Sequence, residues 1–144
     1  MCYLRNKFPE HSGSQVRQVL FSGQQMILFV DDNAASRQAF AKIIRLHGHE
    51  VMEAANATEA LNILDSFHLD LVITDFVMPN VSGFQLIARI RQKWPDMPIL
   101  LVSGYLSPEI AEIISGWSGV EFIPKPIGGP AFLAAVDRLA CKSN

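Results

Sequence analysis

Five short apolar segments alternate with amphipathic segments along most of this chain, and that alternation constrains the fold more than any other feature. The first apolar run, Met26 to Val30, is continuous, as in a strand that is buried on both faces of a sheet. The stretch from Ala34 to His47 then carries its apolar residues at helical spacing, and Gly48 stands where a helix would end. Strands that alternate with helices in this way predict a parallel sheet covered by helices on both faces.

Four more strand–helix units follow the first one. Because crossovers between parallel strands are right-handed and the connections here are short, few topologies remain. We predict an α/β fold with a five-stranded parallel sheet in the order 2-1-3-4-5. The further strands are predicted at 50–54, 69–74, 99–102 and 120–123, and the further helices at 58–67, 82–93, 108–115 and 130–141.

The first 25 residues do not continue this pattern. They are polar, contain Pro9 and two glycines, and have no sustained period. We expect residues 1–25 to be an N-terminal extension, either a tail or a short helix over 14–21, with a docking or dimerisation segment as the alternative. Residues 26–141 are expected to form one domain, followed by a C-terminal tail at 142–144.

Composition and charge argue against several roles. The formal net charge is −2 and no basic run occurs, so direct binding of nucleic acid is not expected. No apolar stretch approaches the ~20 residues of a membrane helix, so membrane insertion is not expected either. The two cysteines, Cys2 and Cys141, do not make a disulfide framework, and reduced thiols in the cytoplasm fit this pattern best.

Polar residues follow four of the five predicted strands. Asp31 and Asp32 follow the first strand, Asp75 the third, Ser103 the fourth and Lys125 the fifth. Taken singly, each has an ordinary interpretation as a helix cap, a turn former or a solvated loop residue. The carboxyl ends of parallel strands share one edge of the sheet, however, so we expect all five side chains to converge there.

The chemistry of this set favours phosphoryl transfer onto a carboxylate. Each pair of carboxylates at ~5 Å repels by roughly 3 kcal/mol at an effective dielectric constant of ~20. Mg²⁺ would remove that repulsion, because it prefers oxygen ligands and takes one or two carboxylates together with phosphate oxygens. Lys125 can pair with a carboxylate or a phosphoryl group, and Ser103 can donate its hydroxyl to a phosphoryl oxygen.

Four segments resemble the receiver domain of bacterial two-component response regulators. They are residues 27–33, 71–83, 98–104 and 122–126, and the resemblance covers about residues 25–141 in matching order and spacing. A single Asp-Asp or Lys-Pro pair is a weak signal, but the four segments together are highly specific. The resemblance implies a flavodoxin-like fold and a phosphorylated signalling switch rather than an enzyme.

The resemblance also implies roles for individual residues. Asp75 would accept a phosphoryl group from a phosphohistidine on a sensor histidine kinase or a phosphotransfer domain. Asp31, Asp32 and Asp75 would bind Mg²⁺, with the backbone carbonyl of Val77 as a further ligand. The side chain of Val77 is apolar and cannot hydrogen-bond an attacking water, so we hypothesise that self-dephosphorylation is slow.

The remaining motif residues would act in switching and support. Ser103 would be the hydroxyl switch, and Phe122 the aromatic switch, although it lacks the hydroxyl of a tyrosine. Lys125 would pair with the phosphoryl group through a peptide bond to Pro126 that is expected to be cis. Gly83 matches a turn glycine. The readout face would lie within 108–141, where a homodimer is also a hypothesis.

Several alternatives stay open beside this function. A pseudo-receiver would be an interaction module without phosphorylation, and the chain could equally be the receiver of a hybrid histidine kinase. A nucleotide-binding Rossmann domain needs a glycine-rich turn after the first strand, but Asp31-Asp32-Asn33-Ala34 is acidic and lacks glycine. A phosphatase with an aspartate nucleophile would need a second acid where Val77 stands.

Overall fold

The computed structural model describes residues 24–126 and 128–141, and these residues contain five strands and five helices. The strands are β1 (Met26–Val30), β2 (Glu50–Ala54), β3 (Leu71–Asp75), β4 (Ile99–Ser103) and β5 (Val120–Pro124). The helices are α1 (Ala34–Leu46), α2 (Ala57–Ser66), α3 (Gly83–Lys93), α4 (Pro108–Ser115) and α5 (Gly129–Cys141). Residues 1–23 and 142–144, which hold most of the expected extension and the expected C-terminal tail, lie outside the described residues.

All strand pairings in the sheet are parallel, and the order across it is β2-β1-β3-β4-β5. The predicted topology is therefore confirmed. β1 and β3 are neighbours, with Val30 aligned with Thr74, so their carboxyl ends emerge side by side. The strand order reverses at this point, which is where open α/β sheets bind ligands.

The sheet is buried on both faces because alternate residues of each strand enter different core clusters. In β1, Leu28 and Val30 pack with residues of α2, α3 and α4. Ile27 and Phe29 point the other way and pack with residues of α1 and α5. The rings of Phe29, Phe40 and Phe132 pack together on this second face, with centroids 5.0, 5.6 and 6.5 Å apart, and the first two are stacked. This packing holds the helices rigidly around the strand ends.

Several element boundaries differ from the prediction by one or two residues. The apolar pattern extended the third strand back to Leu69, but β3 begins at Leu71. The carboxylate of Asp70, just before it, accepts the N–H of Met26 (2.8 Å), and the N–H of Asp70 donates to the carbonyl of Met26 (2.8 Å). Helix α2 begins at Ala57 rather than Thr58. The side chain of Asn56 accepts the N–H of Glu59 (2.8 Å) and so caps the helix one residue earlier.

A polar cluster joins α1, β2 and α5 at the edge where the strands begin. Nε2 of His47 lies 2.8 Å from one carboxylate oxygen of Asp137, and Nε2 of His49 lies 3.0 Å from the other. The N–H of Gln25 donates to Nδ1 of His49 (3.1 Å). An uncharged His49 must therefore carry its proton on Nε2 and donate it to Asp137.

Cys141, the last residue of α5, is disulfide-bonded, so the expectation of two reduced thiols is wrong. In the part of the chain that the structure describes, no helix has the length and apolar character needed to cross a bilayer.

Candidate functional site

Three carboxylates meet at the edge of the sheet where β1 and β3 end. Asp31 and Asp32 directly follow β1, and Asp75 is the last residue of β3. One oxygen from each carboxylate lies within 4.8 Å of the other two. Asp31 is 1% exposed, whereas Asp32 is open to solvent. The structure thus brings together the three acids that the sequence placed at this edge.

Hydrogen bonds fix Asp31 in this cluster. Its N–H donates to the carbonyl of Ala54 in β2 (3.1 Å), and its Oδ1 accepts the N–H of Asn33 (3.0 Å). The side-chain oxygen of Asn33 also accepts the N–H of Ser36 (2.8 Å) and caps α1. The acidic loop and the start of α1 therefore form one hydrogen-bonded unit.

Lys125 reaches the cluster from the end of β5, which is two strands away from β3 in the sheet. It directly follows β5, and its Nζ lies 3.5 Å from Oδ2 of Asp75. Both side chains are partly buried, so water screens this ion pair less than it would screen one at the surface. The peptide bond from Lys125 to Pro126 is cis, as expected from the sequence. The site therefore combines three acids with one cation.

Burial raises the pKa of Asp75 above its ordinary value, because desolvation disfavours the charged carboxylate. Lys125 opposes this effect by attracting the negative charge, and the neighbouring Asp31 adds to the rise by repelling it. The nearby backbone N–H groups of Val77 and Phe76 lower its pKa, because they favour the charged carboxylate. Because the net pKa is still raised, the cluster favours a further positive charge beside Asp75.

Val77 presents only its main chain to Asp75. Its backbone N–H lowers the pKa of the Asp75 carboxylate, while its side chain is 68% exposed. An apolar side chain therefore lies at the solvent side of the acidic cluster. The role of the Val77 carbonyl as a metal ligand stays a prediction.

Ser103 ends β4 and is 1% exposed. Its Oγ donates to the carbonyl of Tyr105 (3.0 Å) and lies 3.4 Å from the N–H of the same residue. The hydroxyl is therefore engaged with the loop after β4. Phe122 lies in β5, where it is half-buried against the core cluster of α2, α3 and α4. The switching roles of Ser103 and Phe122 stay predictions.

Gly83 holds the acceptor loop against the start of α3. Its N–H donates to the carbonyl of Phe76 (2.8 Å). A Cβ atom at this position would lie 2.2 Å from the main-chain oxygen of Asp75, which is far inside van der Waals contact. Ser82 caps the same helix in a reciprocal capping box with Gln85. A residue with a side chain therefore cannot replace Gly83 without moving the backbone of Asp75.

Sequence reasoning missed Arg37, which belongs to the first turns of α1. Its Nη1 donates to the main-chain carbonyl of Asp31 (2.8 Å). Helical side chains lean toward the amino end of their helix. An arginine shortly after the acidic pair could therefore have been predicted to reach back to the loop.

The fold agrees with comparisons to known proteins. A family model described as the response regulator receiver domain matches residues 27–137. The sensor kinase CckA of Brucella abortus is 34% identical over 125 residues, which cover 85% of this chain and 13% of that protein. The response regulator protein FleR of Pseudomonas aeruginosa is 33% identical over 114 residues, which cover 79% of this chain and 24% of that protein. The chain therefore spans only a minor part of these two curated relatives.

A solved structure supports the same grouping. The response regulator protein TrrA of Thermotoga maritima, solved in complex with Mg(2+)-BeF, has a TM-score of 0.72 and 31% identity to this chain. The match covers 81% of this chain and 99% of that chain. A nucleotide-binding Rossmann domain is not supported by these similarities. From the matched residues, the sheet order and the relatives together, the chain belongs to the response regulator receiver domain family.

Proposed function

We propose that Asp75 accepts a phosphoryl group from a phosphohistidine on a sensor histidine kinase or a phosphotransfer domain, in a Mg²⁺-dependent reaction. One observation carries the proposal: three carboxylates lie within 4.8 Å of one another, and the ammonium group of Lys125 lies 3.5 Å from Asp75. Receiver domains are signalling switches of two-component systems, and the family interacts with histidine kinases or phosphotransfer proteins. The proposal assigns that activity to particular residues of this chain.

The donor set fits Mg²⁺ by its chemistry. All three side chains offer carboxylate oxygens, and the raised pKa of Asp75 shows that burial and Asp31 outweigh the nearby positive charge. Asp31, Asp32 and Asp75 would hold the ion, together with the main-chain carbonyl of Val77. When bound, Mg²⁺ supplies positive charge that offsets the carboxylates and the entering phosphoryl group. The Mg(2+)-BeF complex of the related TrrA supports this choice of metal.

The transfer is a substitution at phosphorus. An oxygen of Asp75 forms the new P–O bond while the P–N bond to the donor imidazole breaks, and the imidazole nitrogen keeps the electron pair. The attacking carboxylate must be ionised, and Lys125 favours that state. As charge moves onto the phosphoryl oxygens, the Lys125 ammonium group can pair with them. The exposed Asp32 leaves a solvent-facing side through which the donor can approach.

Switching follows from a change of hydrogen-bond partner. The Ser103 hydroxyl, now bonded to the Tyr105 carbonyl, would turn toward the phosphoryl group, and Phe122 would move inward. Phosphorylation then biases an equilibrium between two states of the 108–141 face, which a partner or a second copy would recognise. In this proposal the chain is a switch rather than an enzyme, and residues 26–141 form the receiver domain.

The setting of the switch is also proposed. The similarity to both a sensor kinase and a response regulator supports either a separate regulator or the receiver of a hybrid histidine kinase. A cytoplasmic location is consistent with phosphohistidine donors, and the disulfide at Cys141 lies at the end of α5 that points away from the site.

The test is incubation with a small acyl phosphate, with and without Mg²⁺, followed by intact-mass measurement. The wild-type chain should gain one phosphoryl group only when Mg²⁺ is present, and Asp75→Asn should gain none. Asp65→Asn is the matched control, because Asp65 is exposed and pairs with Lys93 away from the site. Equal labelling of Asp75→Asn and wild type would contradict the assignment. No labelling of any form would favour the pseudo-receiver.

A further inference from the structure

Arg37 is bonded to the main chain of the acidic loop and not to its carboxylates. Its Nη1 donates to the carbonyl oxygen of Asp31 (2.8 Å). The N–H of Asp31 already donates to Ala54 in the neighbouring strand (3.1 Å). The peptide groups on both sides of the Asp31 Cα are therefore held, one by the sheet and the other by Arg37, which restricts the direction of its carboxylate.

Glu53 holds the guanidinium group of Arg37 in this position. Its Oε1 accepts a hydrogen bond from Nε of Arg37 (3.1 Å), and its Oε2 accepts one from Nη1 of Arg45 (3.2 Å). Nη2 of Arg45 donates to the carbonyl of Val51 (2.9 Å). The side chains of Arg37 and Glu53 are both largely buried. The network therefore holds these two side chains in place more firmly than an ion pair at the surface would.

The network separates positioning from charge compensation. Arg37 pairs with Glu53, which it shares with Arg45, whereas Lys125 contacts the Asp75 carboxylate directly. Arg37 can therefore orient Asp31 while leaving its carboxylate oxygens for another ligand. A guanidinium group suits this task because its fork donates to Asp31 and Glu53 at once, which a single ammonium group does with poorer geometry.

We propose that Arg37 is a positioning residue for the metal site, held by Glu53 and acting on Asp31 through its main chain. The inference rests on the proposed function, because it assumes that Asp31 helps to hold Mg²⁺. Groups that orient metal ligands without touching the metal typically contribute 10- to 100-fold to metal affinity. Loss of Arg37 should therefore weaken Mg²⁺ binding by about tenfold.

The test compares Mg²⁺ affinity, measured by calorimetric titration of the full chain, with the Mg²⁺ dependence of labelling by acyl phosphate. Arg37→Met keeps most of the apolar stem and removes every donor. It should raise both the dissociation constant and the half-saturating Mg²⁺ concentration about tenfold. The labelling rate at saturating Mg²⁺ should stay within about threefold of wild type, because excess metal compensates for weaker binding. A general loss of structure would lower the labelling rate even at saturating Mg²⁺.

Arg45→Met is the matched control, because it removes the other bond to Glu53 without touching Asp31. Its Mg²⁺ affinity should stay within about twofold of wild type, because Arg45 does not orient a metal ligand and the tenfold loss is expected only for a group that does. If Arg37→Met does not fold, Arg37→Lys replaces it and should weaken binding by a smaller factor. An unchanged Mg²⁺ affinity in the folded Arg37 variant overturns the inference. Absence of Mg²⁺ binding by the wild type overturns the proposed function instead.

Discussion

The ammonium group of Lys125 lies 3.5 Å from the carboxylate of Asp75, although the two residues belong to strand ends that are not neighbours in the sheet. β4 lies between β3 and β5, and its last residue, Ser103, is buried at the same edge. The side chain of Lys125 therefore spans the width of β4 to reach the acid.

Lys125→Met should slow phosphorylation of Asp75 by roughly 10²-fold at saturating Mg²⁺, the magnitude typical for removing one group that stabilises developing charge. The variant keeps the length of the side chain but cannot pair with the phosphoryl oxygens. The time course of labelling by acyl phosphate, followed by intact mass, measures the rate. Lys93→Met removes an exposed lysine that pairs with Asp65 and is the control. Equal slowing in both variants would contradict a specific role for Lys125.

Val77→Asn should shorten the lifetime of the phosphorylated chain by about tenfold, which is less than the roughly 10²–10⁴-fold typical of a general acid or base, because an amide only positions the water. The side chain at this position is 68% exposed, so a polar replacement costs little packing. Its amide can hydrogen-bond a water that attacks the phosphoryl group, which valine cannot do. The decay of the phosphorylated mass after removal of the acyl phosphate gives the lifetime.

The control for this change is Leu46→Asn. Leu46 is 78% exposed and lies at the end of α1, far from the strand ends, so the same chemical change there should leave the lifetime unaltered. If Val77→Asn decays no faster than wild type, the hypothesis of slow self-dephosphorylation is wrong.

Gly83→Ala should destabilise the fold by about 1–3 kcal/mol, as overpacking in a rigid region commonly does. The added methyl group would lie 2.2 Å from the main-chain oxygen of Asp75 and 2.9 Å from Cα of Phe76, and backbone atoms cannot move aside as a flexible side chain can. Urea unfolding measures the loss. Gly129→Ala, which meets nothing within 4 Å, is the control and should leave stability equal or slightly higher.

The sequence was sufficient for those features that depend on chain order. The apolar runs predicted the strands, and the residues directly after them predicted the convergence of Asp75 and Lys125, because the strand ends of a parallel sheet share one edge. The beginning of β3 was placed too early, since Leu69 is apolar and buried but lies outside the strand. Burial and strand pairing are separate properties, and periodicity reports only the first.

Features that depend on side-chain geometry between elements could not be predicted in the same way. The pairing of Arg37 with Glu53 joins a helix to a strand, and the contact of His49 with Asp137 spans 88 residues. No local pattern encodes such distances. The orientation of Ser103 was also inaccessible, because its hydroxyl follows the course of the loop that carries Tyr105. These contacts appear only once the packing of the layers fixes which side chains face each other.

Asp137→Asn should lower stability at neutral pH by about 1 kcal/mol or less, because its carboxylate is 42% exposed and water screens its pairs. Burial raises the pKa of Asp137. Hydrogen bonds from His47 and His49, and the electrostatic attraction between these rings and the carboxylate, lower it by more, so the net pKa lies below its ordinary value of 3.8. The folded state therefore prefers the ionised carboxylate. The stability that this carboxylate contributes is fully present above about pH 3.8 and is lost as the pH falls through the lower folded pKa.

Urea unfolding at several pH values between about 6 and about 2 measures the difference in unfolding free energy between wild type and variant. That difference should shrink only at the acid end, while Asp65→Asn, which removes an exposed pair, should show a smaller difference throughout. A difference between wild type and Asp137→Asn that persists unchanged to the lowest pH would show that the carboxylate charge does not stabilise the cluster.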